Sequence, residues 1–243
     1  MRSVKEHYDQ LLGPVYSWIA GDFEQAYEAN VALFERLAAS PSMNGVAVDL
    51  GCGPGNQAIV LAERGFAVTA IDFCETLLAE LRQRAPDLGI NSVCDDMLNV
   101  HQHVSDAELV VCMGDTLVHL PDRDTVLGLL SKVSRMLITG GRFILTLRDY
   151  SAPPPTGADR FVPVRSNDQQ IFTCFLDYRD DVIDVHDLLH IKEDGNWKLR
   201  ISNYQKLALD YRWVADRLRD CGLRVSEPVT ERGMILLDAQ KPA

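Results

Sequence analysis

Between residues 46 and 147, short runs of apolar residues alternate with stretches in which apolar residues recur every three or four positions. The continuous runs predict strands, and the periodic stretches between them predict helices. Continuous apolar strands that alternate with amphipathic helices are typical of a parallel sheet covered by helices on both faces. The predicted strands are 46–50, 68–71, 92–94, 109–113 and 143–147, a turn at 140–141 precedes the last one, and helices are predicted at 75–81 and 125–136.

The chain ahead of the first strand has helical periodicity. Asp22 is a typical helix N-cap, apolar side chains then recur every three or four residues, and Pro41 ends the pattern. The predicted apolar face consists of Phe23, Tyr27, Val31, Phe34 and Ala38.

A different rhythm follows the three prolines at 153–155. Three long runs, 169–179, 182–193 and 197–209, are separated by Asp180-Asp181 and by Asp194-Gly195. Asp-Gly is a strong hairpin signal, so these runs predict an antiparallel meander. Helical spacing returns at 213–218, and two closing strands at 223–229 and 234–239 are predicted to form an antiparallel pair.

Composition and charge exclude several classes of protein. The 243 residues carry a formal charge of −11, which disfavours a nucleic-acid partner. No uncharged stretch approaches the ~20 apolar residues of a membrane span. The six cysteines form no Cys-x-x-Cys pair, which favours reduced thiols over disulfides or a zinc site. We therefore expect a cytoplasmic protein with no metal and no membrane partner.

A glycine-rich loop follows the first predicted strand, where residues 49–56 read Asp-Leu-Gly-Cys-Gly-Pro-Gly-Asn. Alternate glycines let the backbone turn tightly and approach a ligand closely. A dinucleotide fingerprint needs glycine at position 56, which is Asn56, and a P-loop needs a Gly-Lys-Ser/Thr sequence that the loop lacks. Asp49 would repel a pyrophosphate but suits an ammonium group. S-adenosylmethionine carries an ammonium group and no phosphate.

Acidic residues also end the next two predicted strands. Asp72 follows the first glycine of the loop by about 20 residues, a position that suits hydrogen bonds to both ribose hydroxyls. Phe73 could cover one face of an adenine, and the Cys94-Asp95-Asp96-Met97 stretch could supply a carboxylate for its exocyclic amine. Each acid alone could equally be a helix cap or part of a solvated turn. Their order and spacing together favour a nucleoside site.

Residues 46–56, 68–73, 94–97 and 109–120 resemble the successive motifs of class I S-adenosylmethionine-dependent methyltransferases. The resemblance implies that Asp49 and the loop hold the methionine end of the cofactor and that Asp72 holds the ribose. It further implies loop contacts at Gly51, Cys52, Gly53 and Gly55, adenine contacts at Phe73, Asp96 and Met97, and a sulfonium border at Met113 and Gly114.

The resemblance also implies a domain organisation. The fold is expected to be α/β, with a doubly wound, mostly parallel seven-stranded sheet of the Rossmann-like methyltransferase type. An N-terminal helical cap is expected at 1–41, the cofactor-binding domain at 42–149 and 210–243, and an inserted antiparallel substrate or lid subdomain at 150–209.

The segment after the fourth strand is similar to the Gly-Asn-Ser-x-x-His-Leu stretch of glycine and sarcosine N-methyltransferases. In that group, an arginine equivalent to Arg148 grips the substrate carboxylate. Asp115 stands where those enzymes have asparagine, so it could favour a cationic amine or accept a proton. His119 suits general-base work. Tyr16 and Trp18, together with Tyr8, are candidates to close over the cofactor because aromatic faces attract cations.

These residues predict an enzyme that transfers the methyl group of S-adenosylmethionine to a nitrogen or oxygen of a small metabolite by in-line displacement, leaving S-adenosylhomocysteine. Positioning of the reactants supplies most of the rate enhancement in such a reaction, so His119 and Asp115 are only candidates for catalytic residues. The alternatives are a non-catalytic S-adenosylmethionine-binding module and a protein methyltransferase.

Overall fold

Strands and helices alternate along the chain from residue 46 to residue 147, as the sequence pattern predicts. The computed structural model describes residues 3–151 and 153–242. The α-helices are α1 (Val4–His7), α2 (Tyr16–Ala20), α3 (Phe23–Arg36), α4 (Ala58–Glu63), α5 (Glu75–Arg84), α6 (Arg123–Met136) and α7 (Tyr211–Asp220). The strands are β1 (Val46–Leu50), β2 (Ala67–Asp72), β3 (Asn91–Cys94), β4 (Ala107–Cys112), β5 (Leu137–Leu147), β6 (Phe161–Ser166), β7 (Gln170–Tyr178), β8 (Val182–Glu193), β9 (Asn196–Leu207), β10 (Arg224–Val225), β11 (Val229–Glu231) and β12 (Met234–Gln240).

The larger sheet has the strand order β10-β12-β5-β4-β1-β2-β3, and the short β11 also pairs with β12. Strands β1 to β5 are parallel, whereas β12 runs antiparallel to β5 and β10. The predicted α/β fold with a mostly parallel seven-stranded sheet is confirmed, with β11 as an additional short strand. Because the strand order reverses between β1 and β4, the carboxyl ends of these strands border a crevice.

Apolar helix faces cover the two sides of this sheet. On one side Leu129 of α6 and Leu218 of α7 pack against the strands, and on the other Phe34 of α3 and Leu61 of α4 do so. All four side chains are fully buried. This packing on both faces explains why the central strands have continuous apolar sequences.

The helix α3 begins where the sequence predicts and ends earlier than its apolar pattern. The Asp22 carboxylate accepts a hydrogen bond from the backbone N–H of Gln25. The N–H of Ala39 bonds to the carbonyl of Phe34 at 2.8 Å, which closes the helix. The prediction for Ala38 was therefore wrong. It lies past the helix end with a φ of 49° and is exposed.

Two further expectations about the strands differ from the structure. The turn predicted at Gly140-Gly141 is an irregularity within β5, where the pairing with β4 shifts register between Ala107 and Leu109. The strand β6 was not predicted, because Pro163 interrupts its apolar run and all six of its residues are exposed.

The second sheet has the order β6-β7-β8-β9 and is antiparallel throughout. Its strands β7, β8 and β9 correspond to the three runs of the predicted meander. Phe172 and Leu189 on its inner face are buried against Leu11 and Leu12 of the N-terminal segment. This contact places the N-terminal segment between the two sheets.

Candidate functional site

A cavity of about 410 Å³ lies at the carboxyl ends of the central strands. The loops after β1 and β4, the ends of β2 and β3, the N-terminal segment and β9 of the second sheet form its wall. Pockets of this volume are typical of sites for cofactors and small ligands. Ten of the predicted site residues line it: Gly51, Gly53, Asp72, Phe73, Asp96, Met97, Gly114, His119, Tyr8 and Tyr16.

The remaining predicted site residues are outside the lining that the described chain forms. Trp18 packs in the apolar cluster of Leu11 and Phe172. Arg148 has 59% of its side chain exposed, and its Nε lies 3.7 Å from Oδ2 of Asp115. The others are buried or packed beside lining residues: Asp49, Cys52, Gly55, Met113 and Asp115.

Two glycines of the loop are required by close packing as well as by backbone conformation. Gly51 and Gly55 have φ values of 68° and 91°, in the left-handed region. A Cβ at Gly51 would lie 2.3 Å from Cγ2 of Thr116, and one at Gly55 would lie 2.2 Å from Cδ1 of Leu81. No larger residue fits at either position unless its neighbour moves.

Asp72, at the end of β2, is held to the loop by two backbone hydrogen bonds. Its Oδ2 accepts from the N–H of Gly53 at 2.9 Å, and its Oδ1 accepts from the N–H of Cys74 at 2.8 Å. Burial raises the pKa of Asp72, and those two amides and the Lys5 ammonium oppose the rise. At Gly53 a Cβ would meet only the Tyr16 ring, at 3.8 Å, so the loop is open toward the cavity there.

Asp49 is a buried carboxylate without a partner. Only 1% of the residue is exposed, and neither oxygen has a hydrogen bond within the described chain. Burial first, and the charge of Asp72 second, raise the pKa of Asp49 from its ordinary value of 3.8 to about 7, against a weaker effect of the Ala58 amide. A buried unpaired carboxylate is costly. Asp49 therefore fits the ammonium group of a ligand.

The residues expected around an adenine lie together, and one of them has a second role. The Phe73 ring meets Tyr8 edge-on, with centroids 5.4 Å apart. The Asp96 carboxylate accepts from the N–H of Leu98 at 2.8 Å and so caps the helical turn Met97–Gln102. Asp96 therefore combines the capping role with a place in the cavity wall, and the neighbouring Asp95 also lines the cavity.

His119 lies in the cavity wall among aromatic rings. Its ring centroid is 6.1 Å from that of Tyr8 and 5.5 Å from that of Tyr204. Its Nδ1 is buried and has no hydrogen-bond partner among the described residues. Burial lowers the pKa of His119 to about 4, although Asp115 opposes the shift. The imidazole is therefore neutral at pH 7.

A buried polar cluster joins the second sheet to the end of β5. The Lys206 ammonium on β9 donates to the Tyr150 hydroxyl at 2.7 Å and lies 3.4 Å from Oδ2 of Asp115. The Tyr150 hydroxyl donates to the same oxygen at 2.5 Å, and the Arg148 N–H donates to Oδ1 at 2.9 Å. Burial lowers the pKa of Lys206. Asp115 thus anchors a cation that lines the cavity.

Several lining residues were not among the predicted site residues. Asp95 and Thr116 lie just after β3 and β4, within sequence motifs that already indicated a site, so they could have been predicted. The lining residues of β9 and of the α1 region could not have been predicted from the sequence, because only the packing of the second sheet and of the N-terminus brings them to the cavity. The full set is Ser3, Val4, Lys5, Ile71, Leu77, Asp95, Thr116, Leu120, Pro121, Gln205, Lys206 and Leu207.

Residues 3–151 and 153–242 contain neither a candidate metal-binding cluster nor a helix that could span a membrane. No three or more histidine, cysteine, aspartate or glutamate side chains there are grouped in a way that could hold a metal ion. None of the helices in these ranges has the length and apolar character needed to cross a bilayer.

Comparison with known proteins agrees with this geometry. A family model described as a methyltransferase domain matches residues 47–141. The putative methyltransferase YqeM of Bacillus subtilis is 24% identical over 223 residues, which cover 84% of this chain and 87% of that protein. Other curated relatives match over 32% to 58% of their own length.

Solved structures share the fold over nearly the whole chain. The CcbJ methyltransferase of Streptomyces caelestis has a TM-score of 0.80 at 17% identity, covering 97% of this chain and 98% of that one. S-adenosylmethionine-bound CalS10 of Micromonospora echinaspora, an amino pentose methyltransferase, has a TM-score of 0.73 at 16% identity, covering 96% and 97%. Residues 47–141 thus match a methyltransferase domain, and the chain is an S-adenosylmethionine-dependent methyltransferase enzyme with S-adenosylmethionine as its cofactor.

Proposed function

We propose that this enzyme methylates a nitrogen or oxygen of a small metabolite inside the cavity at the strand ends. One observation carries the proposal: a single volume of about 410 Å³ joins the predicted nucleoside residues to a polar wall that contains His119 and Lys206. When bound, S-adenosylmethionine supplies an activated methyl group that an acceptor can displace in line from sulfur. The role of this chain is to bind the cofactor and the acceptor, to orient them for the transfer and to exclude water.

The residues present fit that cofactor. The unpartnered Asp49 carboxylate suits its ammonium group, and the loop of Gly51, Cys52, Gly53 and Gly55 suits its methionine end. We assign Asp72 to the ribose, Phe73, Asp96 and Met97 to the adenine, and Met113 and Gly114 to the sulfonium, which the positions of these residues in or next to the cavity wall support.

The N-terminal segment and the second sheet close the cavity, which supports a small acceptor. The N-terminal segment contributes Lys5 and Tyr8 to the wall, and β9 contributes Lys206. We propose that residues 1–41 and 150–209 serve as the cap and substrate subdomain on a cofactor domain formed by 42–149 and 210–243. CalS10, which shares this fold, methylates an amino pentose, so the same architecture accommodates a small acceptor.

The polar groups of the wall define how an acceptor is held. Neutral His119 can accept a hydrogen bond, or a proton, from the acceptor atom. Lys206, fixed by Asp115 and Tyr150, offers a hydrogen-bond donor on another side. Arg148 directs both its backbone N–H and its Nε at Asp115, so its guanidinium is a weaker candidate for gripping a substrate carboxylate than its position after β5 suggested.

Calorimetric titration with S-adenosylhomocysteine tests the cofactor half of the proposal. Asp72→Ala should weaken binding by about 10- to 100-fold, the effect of losing a charged hydrogen-bond acceptor. Asp124→Ala, which removes an exposed carboxylate outside the cavity wall, is the matched control and should bind as wild type. Equal affinity in both variants would remove Asp72 from the site.

Turnover of methyl-labelled S-adenosylmethionine tests the acceptor half. The purified enzyme is incubated with a panel of small amines, amino sugars, phenols and hydroxy acids, and in parallel with a protein extract. We expect label in a small product. Label that enters only protein would replace this proposal with a protein methyltransferase, and cofactor binding without any turnover would favour a binding module.

A further inference from the structure

The outer face of the second sheet is apolar and exposed. Among the described residues, nine large hydrophobic side chains are exposed, and seven of them lie on this sheet. On β9, Trp197, Leu199 and Ile201 alternate with residues of the opposite face and are 48% to 56% exposed. The following Ser202 is buried against the rest of the protein. Side chains of β9 therefore alternate between a buried inner face and an exposed outer face, as in a regular strand.

Strand register shows that the apolar residues form one continuous patch. His190 of β8 lies opposite Leu199 on one side and Ile171 of β7 on the other. In the next row Leu188 lies opposite Ile201. Directly opposed residues of antiparallel strands point to the same face. The patch is completed by Phe161 and Phe175, whose ring centroids are 4.7 Å apart.

Charge on this patch differs from charge on the whole chain. The chain carries −11, yet the rows that cross the patch contain no aspartate or glutamate in the described structure. They contain His186, His190 and Lys192, and the Lys192 ammonium lies over the Trp197 ring at 5.9 Å from its centroid. The next row of the same face carries Asp177 and Asp184, which pair with Arg160 and Arg179, so an approach through this face brings no unpaired carboxylate of these rows against another.

The area suits a second copy of the same chain. Five half-exposed large apolar side chains, Phe161, Ile171, Trp197, Leu199 and Ile201, present on the order of 500 Å² of apolar surface. A stable interface buries ~800 Å² per partner, so these five side chains supply more than half of it and their partly exposed neighbours on the same face would supply the rest. Interfaces between identical subunits are more apolar than those with transient partners. A twofold contact places the same patch on both sides.

We propose that the outer face of β7, β8 and β9 is the interface of a twofold homodimer in which two antiparallel sheets pack face to face. Aligned packing of two such sheets is a standard arrangement. The interface continues along β9 into the cavity wall, because the patch residues Trp197, Leu199 and Ile201 precede Gln205, Lys206 and Leu207, which line the cavity. Dimerisation therefore supports the strand that brings Lys206 to the site.

Sedimentation velocity and light scattering on the whole chain test this inference without any activity measurement. Wild type should have twice the chain mass of 27.1 kDa. Leu199→Glu combined with Ile201→Glu should raise the dimer dissociation constant by about 100-fold or more, since buried like charges face each other across the twofold axis. If that variant does not fold, as judged by circular dichroism, Leu199→Ala with Ile201→Ala provides the same test.

The other two exposed hydrophobic residues provide matched controls. Met43 and Val229 are 49% and 52% exposed and lie outside the second sheet. Met43→Glu combined with Val229→Glu should leave the mass unchanged. A wild type that is monomeric at every concentration overturns the inference, as does a dimer that the β9 variants leave intact. Equal weakening by the control variant would place the interface elsewhere and also overturn it.

Discussion

His7 and Asp187 form a hydrogen bond of 2.9 Å between side chains that are both shielded from solvent. Because a carboxylate can only accept, Nε2 of His7 donates to Oδ2 of Asp187. The other ring nitrogen lies 2.8 Å from the hydroxyl of Ser202, and the second oxygen of Asp187 accepts from Sγ of Cys174 at 2.9 Å. The His7 ring also packs on Tyr204. This cluster fastens α1 to the second sheet.

The first prediction concerns the stability that this hydrogen bond provides. His7→Leu should lower the free energy of unfolding by about 2–3 kcal/mol, because it leaves a buried carboxylate without one of its donors. The affinity for S-adenosylhomocysteine should fall as well, since Lys5 and Tyr8 on either side of His7 line the cavity. Urea unfolding and calorimetric titration measure the two effects.

A double-mutant cycle separates this bond from general packing. His7→Leu combined with Asp187→Leu removes both partners, so it should destabilise by less than the sum of the two single variants. Strictly additive losses would mean that the pair contributes no interaction of its own. Lys5→Ala, which breaks the exposed pair with Asp9, should change stability by only a few tenths of a kcal/mol.

The second prediction distinguishes two glycines of the same loop. Gly51→Ala should cost about 2–4 kcal/mol of stability, because it adds left-handed backbone strain and drives a Cβ into Thr116. Gly53→Ala meets no atom closer than 3.8 Å and should cost only the strain, about 1–2 kcal/mol. Thermal and urea unfolding measure both variants.

A second-site variant tests the proposed cause. Thr116→Ser removes the Cγ2 atom that a Cβ at Gly51 would strike, so it should restore part of the stability lost in Gly51→Ala. Equal losses at Gly51 and Gly53, or no rescue by Thr116→Ser, would contradict the steric explanation.

The sequence was most informative where function depends on short-range order along the chain. The loop at 49–56 and Asp72 follow directly from the ends of buried strands, and parallel strands bring those ends together at one edge of the sheet. Gly51, Gly53, Asp72, Phe73 and Asp96 could therefore be placed in one cavity without coordinates. Asp49 was also singled out, although its lack of a partner is visible only in the structure.

The acceptor side could not be predicted in the same way, since it depends on how the second sheet packs on the first. Lys206 lies in an ordinary polar stretch of a strand, and nothing in its spacing shows that it reaches the cavity. Arg148 follows β5 at the expected position, yet its side chain is mostly exposed and its Nε pairs with Asp115. Trp18 was expected over the cofactor, but it packs, partly buried, against the apolar cluster between the N-terminus and the second sheet.

The third prediction follows from the burial of His119. Its pKa falls from 6.5 to about 4 on folding, so the folded state binds fewer protons than the unfolded state between these values. The contribution of His119 to stability is therefore present above pH 6.5 and lost as the pH falls toward 4. As the pH falls through this window, the free energy of unfolding of wild type, measured with urea, should decrease by up to about 3 kcal/mol more than that of His119→Gln. Parallel pH curves for the two proteins would refute the buried, neutral imidazole.

The fourth prediction has the opposite sign and concerns Asp49. Its pKa rises from 3.8 to about 7 on folding, so the stability associated with its proton is present below pH 3.8 and lost as the pH rises to about 7. Without cofactor, the free energy of unfolding of wild type should decrease by up to about 4 kcal/mol relative to that of Asp49→Asn as the pH rises across that window.

Cofactor binding should reverse this penalty, because an ammonium group beside Asp49 favours the ionised carboxylate. The affinity of wild type for S-adenosylhomocysteine should therefore increase from pH 5 to pH 8, and binding near pH 6 should release a fraction of a proton. Calorimetry in buffers of different ionisation enthalpy measures that proton directly. Asp49→Asn has no carboxylate to ionise, so its affinity should be weaker and nearly independent of pH over the same range. If wild type and Asp49→Asn release the same amount of proton, the ammonium group is held elsewhere, and the orphaned carboxylate at the end of β1 has no part in binding.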